Sequence, residues 1–209
     1  MAKLILLRHG ESEWNEKGLW QGWIDIPLSG KGMADARRMG SFLKGIAIDE
    51  VYTSKLMRAI DTAKIILEEL HLNPPITENE ALNERDYGIY DAKNKWQIEE
   101  EVGEEKFQRI RRGWDTEVPG GENLKDVYER VVPYFENEIY PKIKEGRNIL
   151  ISAHGNSLRA LRKYLDNLSV EDVENLEIGI GEVYVYTYDD NGRLIKRETL
   201  GEDINKGKH

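Results

Sequence analysis

The sequence predicts an α/β layer fold with a mostly parallel sheet, and three observations carry that prediction. Short runs rich in Ile, Val, Leu or Tyr recur at 3–8, 50–53, 148–153, 183–188 and 194–199, each of strand length. Longer stretches between them carry apolar residues at helical spacing. No internal repeat and no Pro/Gly/Ser-rich linker interrupts the 209 residues, so a single domain over 1–209 is expected. Parallel strands need long crossovers, usually helical, and this alternation supplies them.

Taken in order, the first strand rests on Leu4-Ile5-Leu6-Leu7, a buried-type run. Ser29 is an N-cap that leads into a helix over 31–44. The strand at 50–53 is followed by a helix over 55–70, where Leu56, Ala59, Ile60, Ala63, Ile66, Leu67 and Leu70 form one apolar stripe. The segment 91–121 departs from this pattern: it is charged, holds helical pieces around 96–101 and 104–112, and closes on Pro119-Gly120-Gly121. It reads as an insertion over the sheet and the active site, and long excursions of this kind tend to carry function. A helix over 123–140 contains Pro133, which lacks an N–H and should kink or break it. The strand at 148–153 runs into a helix over 156–165, and the last two strands precede a polar tail, 201–209, expected to be mobile.

Composition excludes several function classes. With 30 Lys+Arg against 39 Asp+Glu the formal charge is −9, unsuited to non-specific nucleic-acid binding, which needs a basic face. The absence of cysteine excludes disulfides, thiolate nucleophiles, Cys-ligated zinc and iron–sulfur clusters. The four aliphatic residues at 4–7 are too few for a signal-peptide core or a membrane span, so a soluble, cytoplasmic protein without a membrane partner is expected.

Chemistry concentrates in two segments of one pattern. Leu4-Ile5-Leu6-Leu7-Arg8-His9-Gly10-Glu11-Ser12 and Ile149-Leu150-Ile151-Ser152-Ala153-His154-Gly155-Asn156-Ser157 each run from an apolar strand into His-Gly-x-Ser. Ligands of open α/β sheets bind at the carboxyl ends of strands, so neighbouring strands would bring His9 and His154 to one crevice. A lone strand-end histidine is ordinarily a structural or surface residue; the duplication favours function. The second motif also opens a helix whose N-terminal N–H groups suit an anion. His71 and His209 have no such context and receive no role. Arg8 adjoins His9, and Arg58 stands at a strand-to-helix transition, where guanidinium forks match phosphate oxygens. The plainer alternative for Arg58 is a surface pair with Asp61.

Arg8-His9-Gly10-Glu11-Ser12-x-x-Asn15 resembles the signature of the histidine phosphatase superfamily. More narrowly, the chain resembles the cofactor-dependent phosphoglycerate mutases. The segments that carry this are 22–29, 52–59, Leu82-Asn83-Glu84-Arg85-Asp86-Tyr87-Gly88, Asn94-Lys95-Trp96, Arg111-Arg112-Gly113-Trp114 and 153–161. The resemblance implies a three-layer α/β/α sandwich and the interconversion of 3-phosphoglycerate and 2-phosphoglycerate, a step of glycolysis and gluconeogenesis. It further implies a phosphohistidine at His9, priming by 2,3-bisphosphoglycerate and no metal. Arg8, Arg58 and, if protonated, His154 would hold the transferring phosphoryl group, with Ser12, Asn15 and the Gly155 N–H as neutral donors. Glu84 would be the general acid and base. Lys95, Arg111 and Arg112 would bind the substrate carboxylate, with Tyr87, Asn156, Gln21 and Gly22 completing the pocket.

Two other functions fit the same fold: a broad phosphomonoesterase using His9, Arg8, Arg58 and His154, and a non-catalytic phosphate-sensing domain, which would be expected to have lost one of these residues. The chain is short for the mutases between Gly113-Trp114 and Asn123-Leu124 and after 200–204, and Asp86 and Gln21 stand where the family often has His and Thr. A trimmed tail implies a less complete lid and more hydrolysis. The substrate expected is a small phosphorylated acid, with no nucleic-acid partner, and the resemblance leaves open whether two copies pair as a homodimer.

Overall fold

The computed structural model describes residues 1–202. The strands are β1 (Ala2–Arg8), β2 (Glu50–Thr53), β3 (Ile76–Glu78), β4 (Ile149–Ala153), β5 (Val183–Tyr188) and β6 (Leu194–Leu200), in one sheet of order β3-β2-β4-β1-β5-β6. β3, β2, β4 and β1 pair in parallel, whereas β5 pairs antiparallel with both β1 and β6. The sheet is therefore mixed, with the parallel half holding the two His-Gly strands side by side.

Alternation along β1 builds the layers. Leu4 and Leu6 face a core shared with Ile149, Ile151, Val127, Val131, Phe135, Leu158 and Leu161. These come from β4, from α6 (Leu124–Tyr134) and the residue that follows it, and from α8 (Gly155–Asp166). Ile5 and Leu7 face the opposite core with Met39, Leu43, Ala63 and Ile66, on or beside α2 (Gly30–Phe42) and α3 (Met57–Leu70). Two helical layers thus enclose the sheet, the α/β/α arrangement expected. A third cluster of Trp20, Tyr87, Ile98, Phe107, Ile110 and Val118 lies apart from both. It forms under the charged excursion, where α4 (Lys95–Val102) and α5 (Glu104–Arg112) carry apolar faces of their own.

Several local expectations shift for identifiable reasons. The third helix begins at Met57 because the Asp25 carboxylate accepts the Met57 N–H (2.7 Å), a cap from a distant segment. Pro133 does not end its helix: α6 runs through it to Tyr134, five residues of π-helix follow at Phe135–Ile139, and α7 (Tyr140–Lys144) resumes the α pattern. The wide turn keeps Phe135 and Ile139 buried. The short α1 (Glu13–Glu16) and α9 (Val170–Asn175), each closed by a capping box, and the three-residue β3 are too short for periodicity to register. Residues 203–209, which include most of the tail and His209, lie outside the described residues. Among the described residues no helix is long and apolar enough to cross a membrane.

Candidate active site

Strand register sets the centre of the site. In the parallel β1–β4 ladder Arg8 stands opposite Ala153, and the His9 N–H donates to the Ala153 carbonyl (3.0 Å). The next residue on each strand is a histidine, and the two rings meet with centroids 5.0 Å apart at 58°. Both are buried, at 2% and 0% exposure. Gly10 permits the turn out of β1 to lie flat on the start of α2, since a Cβ there would fall 2.2 Å from the Gly32 carbonyl oxygen. The fit is reciprocal: a Cβ on Gly32 would lie 1.9 Å from the Glu11 carbonyl oxygen.

Hydrogen bonds fix the tautomers. His9 Nδ1 lies 2.6 Å from the Gly10 carbonyl, which can only accept, so Nδ1 carries the hydrogen and Nε2 keeps its lone pair. His154 Nε2 lies 2.7 Å from Ser54 Oγ, which already accepts the Leu56 N–H (3.2 Å). With no other acceptor for it among the described residues, the Ser54 hydroxyl donates to Nε2, and the His154 hydrogen sits on Nδ1. Burial holds both imidazoles well below their usual pKa, and the nearby Arg58 and Arg8 charges reinforce this. His154 is therefore neutral here, because a dry site beside two guanidinium groups disfavours a third cation.

The arginines are anchored from behind. Arg58 is fully buried and donates to the Ile24 and Gly22 carbonyls (2.9 Å each), not to Asp61, so the surface-pair alternative falls. Burial lowers its pKa to about 10. Arg8 Nη1 donates to the Ile178 carbonyl (3.0 Å). This leaves Arg8 Nε, Arg58 Nε and His154 Nδ1 buried without a hydrogen-bond partner among the described residues. Orphaned buried donors are costly. Arg8 and Arg58 line one cavity with His9, and their unpartnered Nε–H groups form a cradle for an anion with several oxygens.

Glu84 lies beside this cradle. Its Oε1 accepts the Arg85 N–H (2.8 Å), the Asn156 N–H (3.1 Å) and Asn156 Nδ2 (3.0 Å). Oε2 stands with the Arg8 guanidinium over Gly155. The backbone of Glu84 is clamped as well: its carbonyl accepts Trp23 Nε1 (2.7 Å) and Arg130 Nη2 (3.0 Å). Arg130 also holds the Ala81 and Asn83 carbonyls and pairs with Glu122.

The same cavity, about 140 Å³, extends from Arg8, His9 and Arg58 to Lys95, Arg111 and Arg112. Asn15, Gln21, Gly22, Glu84, Tyr87, Gly155 and Asn156 also line it. Lys95 is brought down to about 8 by burial, with Arg111 and Arg8 adding repulsion. Burial, then Arg112, lowers Arg111. Ser12 is the one expected residue, His154 aside, that does not line the cavity. Its hydroxyl caps α1 by accepting the Asn15 N–H (3.1 Å) and donates to Gln21 Oε1 (2.7 Å).

Sequence reasoning gave no role to Ser54 or Arg159, although both stand inside the motif segments, and missed Arg130 and Glu177, which no motif marks. Arg159 lines the cavity and donates to Asn156 Oδ1 (3.0 Å), so it orients the amide that serves Glu84. Among the described residues no group of three or more His, Cys, Asp or Glu side chains is placed to hold a metal.

An α/β/α sandwich whose two strand-end histidines share a cradle of buried guanidinium donors defines a protein that handles phosphoryl groups at histidine. The family model for "Histidine phosphatase superfamily (branch 1)" matches residues 4–200. The chain is 50% identical to the 2,3-bisphosphoglycerate-dependent phosphoglycerate mutase of Parvibaculum lavamentivorans, over 95% of this chain and 96% of that one. It is 41% identical to 2,3-bisphosphoglycerate-dependent phosphoglycerate mutase 2 of Latilactobacillus sakei, over 96% and 100%. The solved structure of a mycobacterial glucosyl-3-phosphoglycerate phosphatase shares the fold at TM-score 0.79 and 24% identity, covering 97% of this chain and 98% of that one. The chain belongs to the histidine phosphatase superfamily and, within it, to the family of the 2,3-bisphosphoglycerate-dependent phosphoglycerate mutases.

Proposed function

We propose that the protein interconverts 3-phosphoglycerate and 2-phosphoglycerate by transfer through Nε2 of His9. The observation that carries this reading is the continuity of the cavity: the phosphate cradle at His9 and the cationic arm of Lys95, Arg111 and Arg112 line one space. A ligand with a phosphate at one end and a carboxylate at the other matches both. The unpartnered donors Arg8 Nε, Arg58 Nε and His154 Nδ1 suit a phosphoryl group, and the cationic arm suits a carboxylate, so these residues fit 2,3-bisphosphoglycerate. When bound, that compound supplies the phosphoryl group that primes His9.

His9 is poised as a nucleophile because the Gly10 carbonyl fixes the hydrogen on Nδ1. In the proposed step the Nε2 lone pair forms the N–P bond as the ester P–O bond breaks. Arg8, Arg58 and His154 hold charge on the three other phosphoryl oxygens, with Asn15 and the Gly155 N–H contributing neutral donors. Glu84 delivers a proton from Oε2 to the departing hydroxyl oxygen and takes one from the hydroxyl that attacks next. The second transfer regenerates His9. Lys95, Arg111 and Arg112 keep the glycerate carboxylate bound while it presents either hydroxyl, and Tyr87, Asn156, Gln21 and Gly22 shape the wall.

A coupled assay from 3-phosphoglycerate, with and without 2,3-bisphosphoglycerate, tests the reading. Stimulation by the bisphosphate, with 2-phosphoglycerate formed much faster than free phosphate, is expected. Rapid phosphate release without stimulation would replace the mutase by a phosphomonoesterase.

A further inference from the structure

The segment Leu176-Glu177-Ile178 lines the cavity and touches both of its ends. At the phosphate end the Ile178 carbonyl accepts from Arg8 (3.0 Å). At the cationic end the Glu177 carboxylate takes a charge-assisted bond from Arg112 Nη2 (2.5 Å), and its charge is also felt by Arg111. The backbone on either side is fixed. Arg159 Nη2 donates to the Val173 and Glu174 carbonyls (2.6 and 3.1 Å), and the Glu182 carboxylate accepts the Gly179 N–H (3.2 Å). Glu177 is thus delivered to Arg112 by a pinned segment. The pair sits at the cavity mouth, with side chains 22% and 50% exposed.

We propose that Glu177 is a specificity-determining residue, an internal carboxylate that occupies Arg112 until the carboxylate of a phosphorylated acid displaces it. A guanidinium fork satisfied by one carboxylate has less to offer another. Because Glu177 belongs to the chain, its local concentration is high and a monovalent carboxylate in solution competes poorly. A ligand already anchored through its phosphate presents its own carboxylate at comparable effective concentration and can exchange with it. The contact therefore lowers the affinity of ligands that bind through Arg112 and leaves ligands held by phosphate alone unaffected, which sets how strongly the carboxylate is preferred. This inference rests on the reading of Arg112 as part of the carboxylate-binding arm.

The test is calorimetric titration of wild type, Glu177→Gln and Glu177→Ala with 3-phosphoglycerate and with glycerol 3-phosphate, which lacks the carboxylate. Both variants should bind 3-phosphoglycerate about two- to fivefold more tightly, the range a partly exposed ion pair supports, with an unchanged Kd for glycerol 3-phosphate. Glu171→Gln, which removes the same charge from an exposed position on α9, should change neither. Equal tightening for both ligands would reduce Glu177 to a general charge effect and overturn the proposal. So would weaker or unchanged 3-phosphoglycerate binding, the former making Glu177 an organiser of Arg112. A wild type that does not distinguish the two ligands would instead refute the carboxylate arm itself, and the proposal with it.

Discussion

Replacing Ser54 by Ala removes the hydroxyl that sets the His154 tautomer while touching no substrate. In the wild type the Ser54 hydroxyl lies 2.7 Å from His154 Nε2 and both side chains are fully buried. Without it the imidazole hydrogen can migrate to Nε2, and Nδ1 then turns a lone pair toward the phosphoryl oxygens it should serve. Losing the hydrogen bond costs about 1–2 kcal/mol of stability. Losing one preorganised donor at a developing charge typically lowers kcat by about 10²–10³. Arg8 and Arg58 remain, so the lower end, about a hundredfold, is expected. Steady-state kinetics should show kcat falling with little change in KM, and Ser54→Thr should restore most of it. Nitrogen NMR of labelled histidine should show the His154 hydrogen shifting from Nδ1 to Nε2. A folded Ser54→Ala variant with wild-type kcat, or with the Nδ1 tautomer intact, would refute the reasoning.

Burial, with the nearby Arg111 and Arg8 charges, brings the Lys95 ammonium down to about 8 in the free protein. It loses its charge as pH rises through that value, so kcat/KM for 3-phosphoglycerate should fall above pH ~8; Lys95→Arg, charged throughout, should flatten this limb. A limb unchanged in the variant would exclude Lys95 as its source. Gly32→Ala places a methyl carbon 1.9 Å from the Glu11 carbonyl oxygen and must displace the turn that follows His9. Overpacking of this kind costs about 2 kcal/mol, so scanning calorimetry should find a Tm lower by about 4–8 °C, and the coupled assay a reduced kcat. An unshifted Tm would contradict the interlocked fit of Gly10 and Gly32.

The two His-Gly motifs were legible because strand-length apolar runs end at both, and the β1–β4 register then leaves the rings no choice but to meet. Lys95, Arg111 and Arg112 were legible only through a motif, since on composition alone a charged helical excursion resembles a solvated surface. Ser12 belongs to the motif, yet only the fold shows that helix capping engages its hydroxyl. Arg130 and Glu177 carry no local signal at all. Arg130 reaches Glu84 from 46 residues away, and Glu177 reaches Arg112 across 65.

By itself the amino-acid order determined the layers, because apolar periodicity is a local property that burial must respect. It also determined the chemical inventory: imidazoles, guanidinium groups, a carboxylate and no thiol. Protonation states, tautomers and the partition of Arg112 between Glu177 and a ligand were decided only when the chain closed. Those quantities depend on dehydration and on charges brought together from distant strands and helices, and neither exists until tertiary packing creates the cavity.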